Sequence, residues 1–428
     1  MTKNVVSQRL EDGSSVPELR RWIKPGDFVW CGQGAAEPLP LTKALVEQAS
    51  QLGGVTAVLG MLYANTFALA DPSLRLLGYG GIGTARDLVR SGRMDVMPSH
   101  YSQLAQLVEQ GDLRCDVVLL QLSPRGPDGL HSLGIAHDYL GILARRARVV
   151  IAEVNDQMPW THGSAEALAN ISLDAVVQTS RALLEVPAPR VGDVERRIAA
   201  HVAPFIEDRC VVQPGVGSVA DAVLDAVHDR RDLGLHAGLI GDGVRRLMQS
   251  GAVSNAFKEV DRGITTTGMA FGSHALYRFI ERNAAIALRD PRDTHAQASL
   301  RQLSRLIAVN SAVEVDLTGQ VNAESADGLY VGAVGGQGDF VRAAQASRQG
   351  RSIIALPSST RDGRGRIVAG LSGGCVTTPR CDADLVVTEW GVAHLRGQPL
   401  QERVRRMVAI AAPEHREALA RAAHAGCG

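Results

Sequence analysis

A glycine turn near the middle of the chain has the residue types and spacing of an anion-binding site. The segment Gly215-Val-Gly-Ser-Val-Ala220 follows a buried-type apolar run and precedes an amphipathic helix pattern. Unpaired backbone N–H groups and the helix dipole of such a turn point toward a bound anion. A structural turn is the alternative, because glycine lets a strand and a helix pack closely. That alternative explains the similar Gly32 and Gly34 at least as well as a ligand does.

The same six residues match the dinucleotide fingerprint G-x-G-x-x-A. A nicotinamide site also needs an acidic residue about twenty residues further on, at the end of the next strand. The chain has His236, Ala237 and Gly238 there. The sequence therefore does not favour a nicotinamide cofactor.

Two other catalytic patterns are weak. The residues from Gly370 to Gly374 match the G-x-S-x-G nucleophile elbow around Ser372, and Asp384 and His394 follow in hydrolase order. The elbow requires a helix directly after the serine, whereas CVTTPR follows here. The 12 histidines show no H-E-x-x-H or similar ligand spacing, so we expect no metal site.

The elements that must position these residues repeat in the two halves of the chain. Each half gives an apolar run, a glycine turn and a helix pattern, first in GDFVWCGQGAAEPLPLTKALVEQA and then in DRCVVQPGVGSVADAVLDAVHD. A second apolar run follows each helix pattern, so each half begins as a βαβ unit of a mostly parallel sheet. The proline-rich segment 186–193 is the candidate boundary. We therefore predict an α/β protein of two related domains, 1–190 and 191–428.

Composition narrows the class of protein. The chain has 428 residues, 45% hydrophobic and 21% charged, which predicts two sizeable cores and excludes a disordered chain. Lys+Arg and Asp+Glu are 45 each, so no bulk field attracts nucleic acid or an anionic membrane. The start of the chain lacks a signal-like apolar stretch, and the six cysteines form no C-x-x-C pair. We expect a cytoplasmic protein without a membrane span.

Together the motifs resemble one family over nearly the whole chain. The chain is similar to the acetyl-CoA hydrolase/transferase family of class I CoA-transferases, which includes 4-hydroxybutyrate and succinyl-CoA:acetate CoA-transferases. The matching segments are CGQGAAEP (31–38), LLQLSPRGPDGLHSLGIAHDY (119–139), EVNDQMPWTHG (153–163), QPGVGSVADAVL (213–224), GDGVRRLMQSGAVSN (241–255), VNSAVEVDLTGQVNAES (309–325), VGAVGGQGDF (331–340), SIIALPSS (352–359) and TTPRCDADLVVTEWGVAHLRG (377–397).

The resemblance implies a fold, a substrate and site residues. It implies two CoA-transferase-like α/β domains with the active site between them, a coenzyme A thioester as substrate, a small-molecule acceptor and a homodimer or larger homo-oligomer. The backbone N–H groups of Val216 and Gly332 match the family's donors to the thioester oxygen, which would stabilise a tetrahedral intermediate. The residues implied to contact coenzyme A are Gly215, Gly217, Gly335, Gly336 and Gln337.

The chain departs from this family at its nucleophile. Family members have roughly H-T-E-x-x-x-D-G, in which the glutamate attacks acyl-CoA, whereas this chain has His236-Ala-Gly-Leu-Ile-Gly-Asp242-Gly243. Glycine has no atom that can attack, so covalent transfer of CoA cannot pass through Gly238. We expect the vacated volume to leave room for water or for the nucleophile of an acceptor.

Three functions therefore remain open. The favoured one is direct transfer of the acyl group to water or a small-molecule acceptor without a glutamyl-CoA intermediate, with His236 as a possible general base. The second is CoA transfer between carboxylic acids through another carboxylate, such as Asp242 or Glu324. The third is a non-catalytic CoA-binding homologue. The alternative for His236 is a hydrogen-bonded histidine at a strand end, and for Asp242 the cap of the following helix.

Overall fold

The computed structural model describes residues 6–9, 17–163, 167–371 and 374–426. The chain divides into two compact units, Met1–Pro187 with Thr266–Arg292, and Ala188–Thr265 with Asp293–Gly428. The predicted domains placed all of 191–428 together, whereas the structure packs Thr266–Arg292 with the first unit. Strand bridges from Met269 to Ala136 and from Ala287 to His162 are the physical reason for this difference.

The first unit contains an eight-stranded sheet in which every pair of neighbouring strands is parallel. Its strands are β1 Val6–Arg9, β2 Phe28–Cys31, β3 Thr56–Leu59, β4 Arg75–Gly78, β5 Met94–Val96, β6 Val117–Leu122, β7 Val149–Asn155 and β8 Ala175–Thr179. Their order across the sheet is β1-β8-β7-β6-β2-β3-β4-β5. The helices along this part of the chain are α1 Leu39–Glu47, α2 Ala85–Arg90, α3 Tyr101–Gln110 and α4 Leu140–Arg146.

The central strands of this sheet are apolar because both of their faces are covered. Every residue of β6 and of β7 is buried. Parallel strands need crossover connections, and the helices of these connections cover the faces of the sheet. Continuous apolar runs such as VVLLQL are the sequence pattern of this arrangement.

The rest of the chain alternates short strands and helices. In chain order these are α5 Asp193–Val202, β9 Val211–Pro214, α6 Ser218–Ala226, β10 Gly234–Leu235, β11 Leu239–Ile240, α7 Asp242–Gln249, β12 Thr265–Thr267, β13 Met269–Ala270, α8 His274–Ile280, β14 Ile286–Leu288, α9 Pro291–Thr294, α10 Gln297–Leu300, β15 Leu306–Asn310, β16 Glu314–Asp316, β17 Val321–Asn322, β18 Ser325–Ala326, β19 Leu329–Tyr330, α11 Gln337–Ala346, β20 Arg351–Ala355, β21 Ile367–Val368, β22 Leu385–Thr388, β23 Gly391–His394, α12 Leu400–Ile410 and α13 Pro413–Gly426.

The second unit is built on a six-stranded sheet of order β10-β9-β15-β20-β22-β23. Its strands are parallel except for the hairpin of β22 and β23. The carboxyl ends of β9, β10 and β15 lie at one edge, and in parallel α/β sheets ligands bind outside such an edge. The predicted α/β class with mostly parallel sheets is confirmed.

The described residues contain neither a membrane-spanning helix nor a cluster of metal ligands. No helix among them is both long and apolar enough to cross a bilayer. No three His, Cys, Asp or Glu side chains in these ranges are grouped as metal ligands.

Candidate active site

The segment that begins with β9 has the predicted order of strand, glycine turn and helix. Gly215 N–H donates to the Val309 carbonyl at 2.7 Å, and a Cβ atom at Gly215 would lie 3.0 Å from that oxygen. Gly217 is the N-cap of α6 and has a φ of +113°, which favours glycine. The Val216 side chain is 63% exposed, and its N–H makes no backbone hydrogen bond within the described ranges. The turn therefore presents the Val216 N–H as a backbone donor at the edge of the sheet.

Gly238 lies between β10 and β11, and the space beside it is filled. A Cβ atom at this position would lie 2.6 Å from both Cε1 and Nε2 of His295. The expectation that the missing carboxylate leaves room for water is therefore wrong, because an imidazole ring occupies the volume. No local pattern around Gly238 indicates this contact, since His295 lies far along the chain in the loop between α9 and α10.

His295 is held on several sides. Its Nδ1 is 2.8 Å from the Thr294 hydroxyl oxygen, and its ring centroid is 5.0 Å from that of Phe340. A Cβ atom at Gly336, the N-cap of α11, would lie 2.6 Å from its Cδ2 and Nε2. Burial, together with the neighbouring His236, lowers the pKa of His295 to about 3. The ring is therefore neutral at physiological pH.

His236 is fully buried beside this site. Its Nε2 donates to the Asp293 carbonyl at 3.1 Å, because a carbonyl oxygen can only accept. Nδ1 is then an acceptor, and no described residue gives it a hydrogen bond. Burial, followed by the charge of Lys258, lowers the pKa of His236 to about 3. His236 is thus a neutral histidine at a strand end, and its proposed role as a general base would require it to gain a proton in a site that disfavours the cation.

Lys258 is a buried cation that the sequence analysis missed. Its Nζ donates to the carbonyl oxygens of Leu235 at 2.9 Å and Ile264 at 2.7 Å. A Cβ atom at Gly234 would lie 2.7 Å from the lysine Cγ. Lys258 therefore ties a loop to the end of β10, directly before His236.

The two candidate carboxylates are both engaged. Asp242 accepts a bond from Arg245 Nε at 3.1 Å. It is the first residue of α7 and not its cap, because Gly241 is the N-cap. Glu324 is buried and accepts the Tyr330 hydroxyl and the Thr377 hydroxyl, each at 2.7 Å. Neither carboxylate is therefore a nucleophile without hydrogen-bond partners.

The second glycine loop, which contains Gly332 and Gly335, makes contacts that mainly support the fold. Gly332 N–H, predicted to donate to a thioester oxygen, donates instead to the Glu324 carbonyl at 2.9 Å. A Cβ atom at Gly332 would lie 2.1 Å from the Ala323 carbonyl, so only glycine fits. Gly335 has a φ of +55°.

Gln337, the first residue of α11, is tied to two neighbouring segments. Its Nε2 donates to the Ser311 carbonyl at 2.8 Å, and its Oε1 accepts the Thr378 hydroxyl at 3.1 Å. Gln337 therefore orients the start of α11, which carries Gly336 and faces His295. The nucleophile-elbow serine, Ser372, lies outside the described residues.

Comparison with known proteins gives a consistent result. Residues 6–186 match the model of the acetyl-CoA hydrolase/transferase N-terminal domain, and residues 272–423 match that of its C-terminal domain. The 4-hydroxybutyrate coenzyme A transferase of Clostridium kluyveri is 35% identical over 90% of each chain. A succinyl-CoA:acetate/propanoyl-CoA:succinate CoA transferase of Fasciola hepatica is 32% identical over 96% of this chain and 87% of its own. The structure of RipA from Yersinia pestis aligns with a TM-score of 0.88 and 31% identity over 95% of each chain.

Proposed function

The chain belongs to the acetyl-CoA hydrolase/transferase family, and we propose that it transfers the acyl group of an acyl-CoA directly to water or a small-molecule acceptor, without a glutamyl-CoA intermediate. It is an enzyme of the transferase/hydrolase class, and acyl-CoA is the substrate of its family. A homodimer or larger assembly, and a cytoplasmic location, are part of the same proposal.

The contact between Gly238 and His295 carries this proposal. A glutamyl intermediate at the family's position needs a carboxylate at residue 238, and this chain has neither the side chain nor the space for it there. Direct transfer does not need that carboxylate, since the acceptor supplies its own nucleophile. The Val216 N–H at the turn after β9 supports the proposal as a donor to the thioester oxygen.

CoA transfer through a different carboxylate is the competing function. Asp242 is paired with Arg245, and both carboxylate oxygens of Glu324 accept hydroxyl groups. A carboxylate that accepts such bonds is a weaker nucleophile, because the bonds stabilise its charge in the ground state. These contacts favour direct acyl transfer.

The test is incubation of the protein with acetyl-, propionyl-, butyryl- and succinyl-CoA, each with and without acetate. Mass spectrometry would follow free CoA, new CoA esters and any adduct on the protein that hydroxylamine cleaves. We expect acyl loss that does not depend on acetate, and no adduct. A thioester mapped to Asp242 or Glu324, abolished in Asp242→Asn or Glu324→Gln, would instead establish CoA transfer. If calorimetry detects no heat with CoA or any of these thioesters at millimolar concentration, the protein does not bind the substrate of its family.

A further inference from the structure

A cavity of about 440 Å³ lies at the amino ends of three neighbouring strands in the second unit. Cys210 directly precedes β9, Arg305 directly precedes β15, and Arg351 is the first residue of β20. All three residues line the cavity. The turn at Gly215 follows the carboxyl end of β9, so the cavity lies at the opposite edge of the sheet from the turn that we assign to the thioester. Its volume is in the range of small-molecule pockets, about 300–1,000 Å³.

The cavity has an excess of positive charge. Among the described residues that line it, three are arginines, Arg305, Arg351 and Arg396, and one, Glu207, is a carboxylate. Glu207 accepts a hydrogen bond from Arg305 Nη2 at 2.7 Å, and Arg351 Nη1 lies 3.4 Å from the buried carboxylate of Asp384. Three guanidinium groups around one small cavity repel one another, so a bound anion would stabilise them.

Arg305 is held beside the cavity by an uncommon backbone conformation. Its φ is +54°, and that of Gln349, which also lines the cavity, is +58°. Glycine adopts such values most easily, so both side chains are present despite backbone strain. The Nε of Arg305 is also buried, and no described residue accepts a hydrogen bond from it. The protein therefore satisfies this guanidinium only in part.

The cavity is open to solvent on the side of its arginines. Arg396 is exposed, and the side chains of Arg305 and Arg351 are 32% and 43% exposed. Ile307 and Ser347, which also line the cavity, are buried. A dissolved anion can therefore reach the guanidinium groups without a change in the fold.

The arrangement of the arginines favours a phosphoryl group as the ligand. The planar guanidinium forks bind both carboxylate and phosphate oxygens in pairs. A carboxylate offers two oxygens in one plane, whereas a phosphate ester carries about −1.5 to −2 charges and three strong acceptor oxygens that point in three directions. The three arginines come from separate parts of the chain, before β15, at the start of β20 and after β23, and such a group can meet all of them.

We propose that this cavity is a second ligand site, which binds a small anion carrying a phosphoryl group through Arg305, Arg351 and Arg396. This inference does not depend on the proposed function, because the site lies at the other edge of the sheet. The ligand is either a free phosphate anion or a small phosphate ester, and both present the same chemistry to the arginines.

The test is calorimetric titration of the full-length protein at low salt with inorganic phosphate, pyrophosphate, glycerol phosphate and citrate. The variants Arg305→Gln and Arg396→Gln each remove one cation, and Glu207→Gln removes the carboxylate. The matched control is Arg90→Gln, which removes an exposed arginine of the first unit. The unfolding midpoint of each protein is measured with and without pyrophosphate, because a ligand of the native state raises it.

We expect phosphate compounds to bind, and their relative affinities distinguish a free anion from an ester. Affinity should fall about tenfold or more in Arg305→Gln and in Arg396→Gln, on the scale of one hydrogen bond between charged groups. It should rise about two- to fivefold in Glu207→Gln, because an exposed carboxylate no longer competes for Arg305. Affinity should be unchanged in Arg90→Gln.

Unchanged affinity in Arg396→Gln and Glu207→Gln would place the anion elsewhere and overturn the site. Tighter binding of citrate than of every phosphate compound would overturn the phosphoryl assignment. If Arg305→Gln does not fold, Arg396→Gln and Glu207→Gln carry the comparison, because both of these side chains are exposed. Absence of heat and of any shift in the unfolding midpoint would also overturn the proposal, whether or not the protein transfers acyl groups.

Discussion

The imidazole ring of His295 occupies the position at which a side chain on Gly238 would begin, because a Cβ atom there would lie 2.6 Å from two ring atoms. His295 is also buried, and Phe340 and Gly336 lie against it. The ring cannot move aside without disturbing the start of α11. Residue 238 therefore lacks a nucleophile, and the packing around it also excludes a larger side chain.

Gly238→Ala should destabilise the protein. The added methyl group overpacks a buried site, which typically costs about 1–3 kcal/mol. The matched control is Gly370→Ala, because a Cβ atom at Gly370 meets nothing within 4 Å and Gly370 has no positive φ. Denaturant unfolding of both variants measures the difference. Equal stability of the two variants would show that His295 moves freely away from residue 238.

Restoring the glutamate should require removal of the imidazole. We expect Gly238→Glu alone to form no glutamyl-CoA, because its side chain meets the His295 ring. The double variant Gly238→Glu/His295→Ala has space for the carboxylate and should form a hydroxylamine-sensitive thioester, with acetate-dependent CoA transfer. Peptide mapping by mass spectrometry identifies the adduct. A single variant that already forms the thioester would contradict the steric argument.

Protonation of the buried histidines should weaken the fold as the pH falls. The pKa values of His236 and His295 are each lowered to about 3, from an ordinary value of 6.5. Below pH 6.5 the unfolded chain binds a proton on each histidine, whereas the folded chain does not. The free energy of unfolding is therefore undiminished by these histidines above pH 6.5 and decreases as the pH falls toward 3. Between pH 7.5 and pH 5.5 each histidine lowers the free energy of unfolding by about 1.4 kcal/mol.

A comparison of wild type with His295→Phe isolates this effect. Burial raises the pKa of Asp138 to about 7, so its protonation favours the folded state as the pH falls through that range. Asp138 is present in both proteins, and its contribution cancels in the difference. Denaturant unfolding measures the decrease in the free energy of unfolding between pH 7.5 and pH 5.5 for both proteins. We expect this decrease to be smaller by about 1.4 kcal/mol in the variant than in the wild type. Identical losses would mean that His295 is already protonated, or solvated, in the folded protein.

The sequence predicted the scaffold better than the chemistry at residue 238. Apolar runs and glycine turns report local and repeated features, so the parallel sheets and the turn around Gly215 could be predicted. His295 could not, because it contacts Gly238 through the tertiary fold and its loop has no hydrophobic periodicity. Lys258 was missed for a related reason, since a lysine in a polar segment is normally exposed. Gly332 was assigned as a donor by resemblance, which cannot show that a carbonyl of the same chain takes its N–H.

A buried ion pair in the first unit gives a prediction independent of the active site. Glu153 is fully buried at the end of β7 and accepts Arg181 Nε at 2.7 Å and a second guanidinium nitrogen at 3.0 Å. Thr179 also donates to it at 2.7 Å. Glu153→Gln leaves the Arg181 side chain, which is only 19% exposed, without this counter-charge. Removal of one partner of such a pair lowers the free energy of unfolding by about 3–5 kcal/mol.

The exposed pair of Glu417 and Arg421 provides the control for this change. Its side chains are 83% and 69% exposed, so water already solvates both charges and Glu417→Gln should leave the unfolding midpoint unchanged. Denaturant titration at low and high salt separates the two cases, because salt screens an exposed pair and hardly affects a buried one. We expect Glu153→Gln to lower the midpoint at both salt concentrations. A loss that disappears at high salt would place Glu153 in contact with solvent and would contradict its burial at the carboxyl end of β7.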